Sequence, residues 1–195
     1  MRIRQYEAKD EQGWVRCRVL AFLDTAYFDN VLREKEHYAN PAIELVAEKD
    51  GGIVGLLDIE LDRADAPVCS PGSGLGGMIW HLAVHPDEQG QGIGSALLQE
   101  AERLAREFQI CRFQAWTRDD PRVNAWYIAR GFEQKEAYLH VYAEGDECSH
   151  LLLGRKAGLY PVACFAHYVG EDWDRIKSMF QRVHECRMYE YQFDK

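Results

Sequence analysis

No stretch of the 195-residue chain approaches the ~18–20 consecutive apolar residues that a membrane span needs. Its opening, Met1-Arg2-Ile3-Arg4, has the form of neither a secretory leader nor a targeting segment. Basic runs are missing as well: 23 Lys and Arg stand against 32 Asp and Glu, a formal charge of −9. That balance argues against nucleic acid as a partner. No C-x-x-C pair occurs. The six cysteines (Cys17, Cys69, Cys111, Cys148, Cys164 and Cys186) are scattered, as free thiols of a reducing cytoplasm would be. Metal-ligand spacing is lacking too. Cys148-x-His150 lies in an irregular polar stretch, and His81 and His85 share strand parity without a third ligand. The expectation is a cytoplasmic protein with no membrane, nucleic-acid or metal partner.

What is there suffices for one sizeable core, 47% of residues being hydrophobic and 12% aromatic. Apolar marks at Trp14, Val15, Val19, Phe22, Leu23, Tyr27, Val31 and Leu32 read as a helix over residues 10–38, after a short strand near Ile3 and Tyr6. Two strands, 43–48 and 53–61, flank Asp50-Gly51-Gly52, a hairpin turn signal. Residues 62–77 form a loop able to sit over a site, and 78–84 a buried strand. A helix over about 92–108 puts Ile93, Leu97, Ala101, Leu104 and Phe108 on one face. Then come a strand at 111–116, a helix started by Asp120-Pro121 and stopped by Gly131, and a strand at 132–142. Cys111, at the head of its strand, reads as a small core residue rather than a nucleophile. The remainder reads as extended (160–169), helical (171–180) and extended again (183–193).

Between the strand ending at Val84 and the helix beginning near Gly92 stand His85-Pro86-Asp87-Glu88-Gln89-Gly90-Gln91-Gly92-Ile93-Gly94. Glycines in such a turn allow positive φ and close approach, and unpaired amides at the positive end of a helix suit a phosphate-bearing ligand. The Walker loop fails, because Gly94 is followed by Ser95-Ala96 rather than Lys-Ser/Thr; the dinucleotide fingerprint fails from both Gly90 and Gly92. Gln89-x-x-Gly92-x-Gly94 after Leu82-Ala83-Val84-His85-Pro86 resembles the acetyl-CoA-binding motif of the GNAT superfamily of N-acetyltransferases. Downstream, Trp126-Tyr127-Ile128-Ala129-Arg130-Gly131-Phe132 resembles that family's aromatic–Tyr–x–x–x–Gly–Phe helix. The resemblance covers roughly residues 1–143.

The resemblance implies an α/β fold, a central mixed twisted sheet with helices on both faces, occupying residues 1–143. A strand–helix–strand extension over 144–195 would pack on the same domain or on a second subunit, which allows a homodimer. It also implies acetyl transfer from acetyl-CoA to a small-molecule or peptide primary amine, by direct attack through a tetrahedral intermediate. Coenzyme would be held by Leu82, Ala83 and Val84, by Gln89, Gly90, Gln91, Gly92, Ile93, Gly94 and Ser95, and around Asp120, Asn124 and Tyr127. Asp120 stands where the family often has Asn, and Asn124 could substitute. Tyr127 matches the general acid that protonates the leaving thiolate. His81, of the residue type that ordinarily exchanges a proton near neutrality, and Glu60 are candidate bases, each with a structural alternative: a hydrogen-bonded core imidazole, and an exposed strand carboxylate. A module that keeps the coenzyme cleft without transferring, or a purely structural protein, stays open from the residues alone.

Overall fold

Strand alternation and turn chemistry account for most of the elements. The computed structural model describes residues 1–151, 158–159 and 161–193. Its strands are β1 (Arg2–Gln5), β2 (Ala42–Lys49), β3 (Gly52–Leu61), β4 (Gly76–Val84), β5 (Arg112–Thr117), β6 (Glu133–Glu144), β7 (Ala163–Tyr168) and β8 (Arg182–Gln192). Its helices are α1 (Glu11–Leu23), α2 (Ile93–Glu107), α3 (Pro121–Ile128) and α4 (Trp173–Met179). All eight strands form one sheet in the order β1-β2-β3-β4-β5-β8-β6-β7. Among the described residues only β4 and β5 pair in parallel, so the sheet is mixed as expected. The β2–β3 hairpin turns through Asp50 and Gly51, both at positive φ, which matches the right-handed twist of the strands it joins.

Both faces of β2 and β3 are buried, and alternate residues go to different helices. Leu45, Ala47, Leu57 and Ile59 pack under α2 with Leu97, Ala101, Phe113 and Tyr189. Val46, Leu56 and Ala83 pack under α1 with Trp14 and Cys17. Gly55 faces α2 so closely that a Cβ there would lie 2.9 Å from Ile93 Cγ2. A third cluster, Leu139, Val141, Ala143, Cys148 and Phe180, closes the far end of the sheet. No helix among the described residues is long and apolar enough to cross a membrane.

Two expectations need correction. The helix expected over residues 10–38 stops at Leu23. Thr25 turns its hydroxyl back onto Phe22 O (2.8 Å), and the chain continues irregularly to Pro41. Tyr27, which fits the helical spacing, instead runs its hydroxyl to Arg118, accepting from the main-chain N–H at 2.9 Å. Tertiary partners outbid periodicity in this stretch. Second, the C-terminal segment does contain a strand, a helix and a strand (β7, α4, β8; Tyr160 lies outside the described residues), yet β8 pairs with β5 on one side and β6 on the other. It is an interior strand of the sheet.

The 24–41 loop is tied to the sheet by charge. Arg118 donates to Ala26 O and to the Tyr142 hydroxyl, Arg182 donates to Asp29 Oδ2 (2.8 Å), and the buried Lys35 ammonium pairs with Asp58 (2.8 Å) and Glu44. Arg118 Nε also donates to His140 Nδ1 at 3.2 Å. Burial, helped by Arg118 and His167, pushes the His140 pKa down to about 4. The unfolded chain therefore takes up a proton at His140 below pH ~6.5 that the native state refuses until pH ~4. This histidine's share of stability is complete above that upper value and drains away as pH falls between the two. Urea-unfolding free energies measured from pH 7 to 4 are expected to fall less steeply for His140→Gln than for the parent in this window.

Candidate active site

A residue inserted in β4 opens the sheet at its centre. Register with β3 runs Asp58↔His81 and then Ile59↔Ile79, leaving Trp80 as the extra residue of a bulge. Pairing with β5 ends at the same level, Ile79↔Ala115, although β4 continues to Val84 and β5 to Thr117. The strands separate beyond that point. His85 N–H donates to Val54 O (2.9 Å), which sets the phase of β4: amides of Ala83 and His81 also turn to β3, while those of Leu82 and Val84 turn into the gap. Of the expected trio, Leu82 and Val84 thus offer main-chain groups; Ala83 spends its own on β3 and its methyl under α1.

The gap leads straight to the glycine turn. Gly90 (φ 76°) and Gly92 (φ 82°) adopt left-handed conformations, and a Cβ on either would meet nothing within 4 Å. Ile93 is buried and anchors the start of α2. Gln89 gives its amide to Pro86 O (3.3 Å) and its side chain to Val84 O (3.2 Å), so it ties turn to strand. From Gly90 through Gln91, Gly92, Ile93 and Gly94 to Ser95, no amide donates to an acceptor among the described residues. Six free N–H groups at a helix start suit a diphosphate. Two cations that sequence reasoning passed over flank them. Arg130 lies over the Trp126 ring (4.0 Å) and donates to Ser95 Oγ (3.0 Å), and Arg122 reaches Gln89 Oε1 (3.4 Å). The i, i+8 spacing of these arginines on and just after α3 was the available signal.

Tyr127 projects from α3 beneath this cleft. Its ring stacks on Tyr189 (5.5 Å) and meets Trp126 and Phe132 edge-on. Its hydroxyl makes no hydrogen bond among the described residues, and burial, then the nearby Tyr27 phenol, hold its pKa far above the ordinary tyrosine value. The phenol stays protonated at neutral pH.

The other expected residues are placed differently from one another. Asp120 caps α3, accepting from Arg122 N (2.9 Å) and Val123 N (3.1 Å). Asn124 is fully engaged within the protein: its Nδ2 donates to Arg118 O and Asp120 O, and its Oδ1 accepts from Tyr189 OH (2.7 Å) and Arg187. Glu60 is buried rather than exposed, and accepts from Ala39 N, Asn40 N and Trp80 Nε1 at 2.9–3.1 Å. Its work is to hold the end of the 24–41 loop. His81 lies on the α1 side beside Trp14, accepting at Nδ1 from Arg18 Nε (3.2 Å) and facing Glu36 Oε2 from Nε2 at 2.6 Å. Because a guanidinium can only donate, the neutral ring carries its proton on Nε2 and gives it to Glu36. The imidazole has no spare lone pair. Glu36 does: its carboxylate is half-exposed, and the His81 hydrogen bond keeps its pKa below the usual glutamate value. Sequence reasoning missed it because it sits in what reads as helix, 45 positions from its partner.

Comparison with known proteins agrees with this geometry. The profile of the acetyltransferase (GNAT) family matches residues 7–132. The chain is 34% identical over 96 residues to a mycothiol acetyltransferase of Cellulomonas flavigena, a match covering 46% of this chain and 27% of that protein. Over 141 residues it is 28% identical to aminoglycoside N(6')-acetyltransferase type 1 of Stenotrophomonas maltophilia, covering 71% of this chain and 90% of the relative. The chain thus spans only 27% and 34% of the length of the two mycothiol acetyltransferases it matches. Among solved structures, the ribosomal-protein-alanine N-acetyltransferase of Brucella melitensis superposes with a TM-score of 0.59 at 15% identity, covering 99% of this chain and 100% of that one. The PaiA N-acetyltransferase of Thermoplasma acidophilum, solved with coenzyme A, gives 0.54 at 14%, covering 69% and 90%. At such identities the likeness concerns the fold. With the family profile spanning residues 7–132, well over half of the chain, the bulged and splayed β4, and the free amides of the glycine turn, the chain belongs to the acetyltransferase (GNAT) family.

Proposed function

We propose that the protein transfers an acetyl group from acetyl-CoA to a primary amine by direct attack. The observation that carries this reading is alignment: the outward-facing main chain of Leu82 and the Val84 amide lead, past the turn that Gln89 pins to Val84 O, to the free amides of Gly90–Ser95. An extended arm can add to β4 like a strand while its diphosphate rests on the turn. Bound there, acetyl-CoA supplies an activated thioester.

The chain's own groups supply the rest. Arg122 and Arg130 offset the charge of the diphosphate. Glu36 holds the incoming ammonium and accepts its proton, directly or through water, so that a neutral amine attacks. His81 is a positioning residue, fixing Glu36 while Arg18 fixes His81. Tyr127 returns a proton to the departing sulfur. One C–N bond forms and one C–S bond breaks; the first amine proton passes from Glu36 to solvent, and the second, shed by the nitrogen after attack, restores the Tyr127 phenol, directly or through water.

The test is thiol release from acetyl-CoA with a panel of primary amines, with the N-acetyl product identified by mass. Amine-dependent release is the expected result. Coenzyme binding without release for any amine would instead support a non-catalytic sensor on the same fold.

A further inference from the structure

Three of the five tryptophans are covered: Trp14 is fully buried, Arg130 lies over Trp126 at 4.0 Å, and Lys177 over Trp173 at 5.6 Å. The other two, Trp80 and Trp116, stand where the sheet opens. The last parallel pair of β4 and β5 is Ile79↔Ala115. Trp80 and Trp116 are therefore the next residue on each strand, one on either side of the gap.

Both project to the face on which His81 and Glu36 lie. Phe113 and Ala115 pack under α2, so strand alternation turns Trp116 the other way, where its ring meets Tyr138 at 5.1 Å. Trp80, re-aimed by the bulge, gives its Nε1 hydrogen to Glu60 Oε2 (2.9 Å). Glu60 in turn holds Ala39 and Asn40 of the 24–41 loop through its other oxygen. The Trp80 indole is thus fixed in orientation yet 48% exposed, and its ring meets no other ring or cation among the described residues. The next residue in the chain is His81, which holds Glu36 at 2.6 Å.

A rigid, half-exposed indole whose polar atom is already spent offers only ring surface. Flat apolar groups gain most from such a wall, by stacking on it and by leaving water. A second cation would find little beside it: Glu60 accepts three hydrogen bonds and is buried, and Asp58 is buried against Lys35. That leaves the half-exposed Glu36 as the carboxylate that faces an incoming ammonium. We infer that the acceptor is a primary amine carrying a flat apolar group, an aromatic ring above all, which lies against Trp80 and Trp116 while its nitrogen meets Glu36. This rests on the acetyl-transfer reading and deepens it by naming the acceptor class. Trp80 then sets specificity through KM, and proton transfer stays with Glu36 and Tyr127.

The first comparison uses the intact protein. At saturating acetyl-CoA, kcat/KM is measured for phenethylamine, propylamine and 1,4-diaminobutane. Phenethylamine is expected to exceed each of the others by about tenfold or more, chiefly through KM. Trp80→Leu should raise KM for phenethylamine about tenfold and leave that for propylamine within about threefold. Trp116→Leu should act in the same sense and decides the matter if Trp80→Leu does not fold. Parity of the three amines, or preference for the diamine, overturns the assignment while leaving acetyl transfer intact. So does an unchanged KM for phenethylamine in the variants, or an equal loss for both monoamines, which would make the indoles structural. If no amine is acetylated although coenzyme binds, acetyl transfer itself fails, and calorimetry of phenethylamine against propylamine on the coenzyme-bound protein judges the indole wall alone. Selective binding of phenethylamine upholds it; no selectivity ends it.

Discussion

Tyr127→Phe is expected to lower kcat by about 10²–10⁴ with coenzyme affinity and Tm essentially unchanged. The structure makes this an unusually clean substitution. Every contact of Tyr127 described above is made by its ring, to Trp126, Phe132 and Tyr189, and phenylalanine keeps them all. The hydroxyl has no hydrogen-bond partner among the described residues, so its removal leaves no donor stranded there; a slight rise in Tm is the only structural effect anticipated. A large kinetic loss without a stability loss assigns the group to proton delivery. Undiminished turnover with coenzyme bound would take Tyr127 out of the mechanism, and a binding loss equal to the kinetic loss would make it a contact residue only. Since its pKa sits far above neutrality, the kcat profile of the parent should show no loss of this acid anywhere below pH 9.

The second large effect concerns coenzyme. Gly92→Asp is expected to weaken coenzyme A binding about a hundredfold, read by calorimetry, with Tm shifted by no more than a few degrees. Left-handed φ costs a non-glycine residue roughly 1–2 kcal/mol; the free variant escapes this strain by relaxing its solvent-open turn, and coenzyme binding has to restore it. A carboxylate beside a bound diphosphate forfeits about another 1–2 kcal/mol of the helix-end attraction. Together these come to about 3 kcal/mol, or two decades in Kd. The open space around Gly92 keeps the added side chain from disturbing the fold. Binding within threefold of the parent would mean the diphosphate rests elsewhere.

What could be seen in advance follows the range of the interactions involved. The hairpin at Asp50-Gly51, the cap at Asp120 and the turn at Gly90–Gly94 are each specified within a few residues, and each stands where expected. Long-range pairings could not be read that way. The end of α1 depends on Arg118 claiming Tyr27 from 91 positions away. Glu60 looks like any strand carboxylate until Ala39, Asn40 and Trp80 close on it. His81 looks like a base until Arg18 and Glu36 occupy its two nitrogens. The bulge at Trp80, which opens the cleft, leaves no mark in composition. Asn124 reads as a coenzyme contact and is instead the latch joining β8, through Tyr189, to the start of α3.

The interior position of β8 bears on how the chain is made. Its two neighbours precede it in synthesis, β5 by some 65 residues and β6 by about 38, counted between their ends. Until 182–192 emerge, both present unpaired backbone edges next to one another with nothing between them. A nascent chain in that state is exposed to wrong partners, including β5 pairing directly with β6, and chaperone dependence with slow, high-contact-order closure is the expected cost.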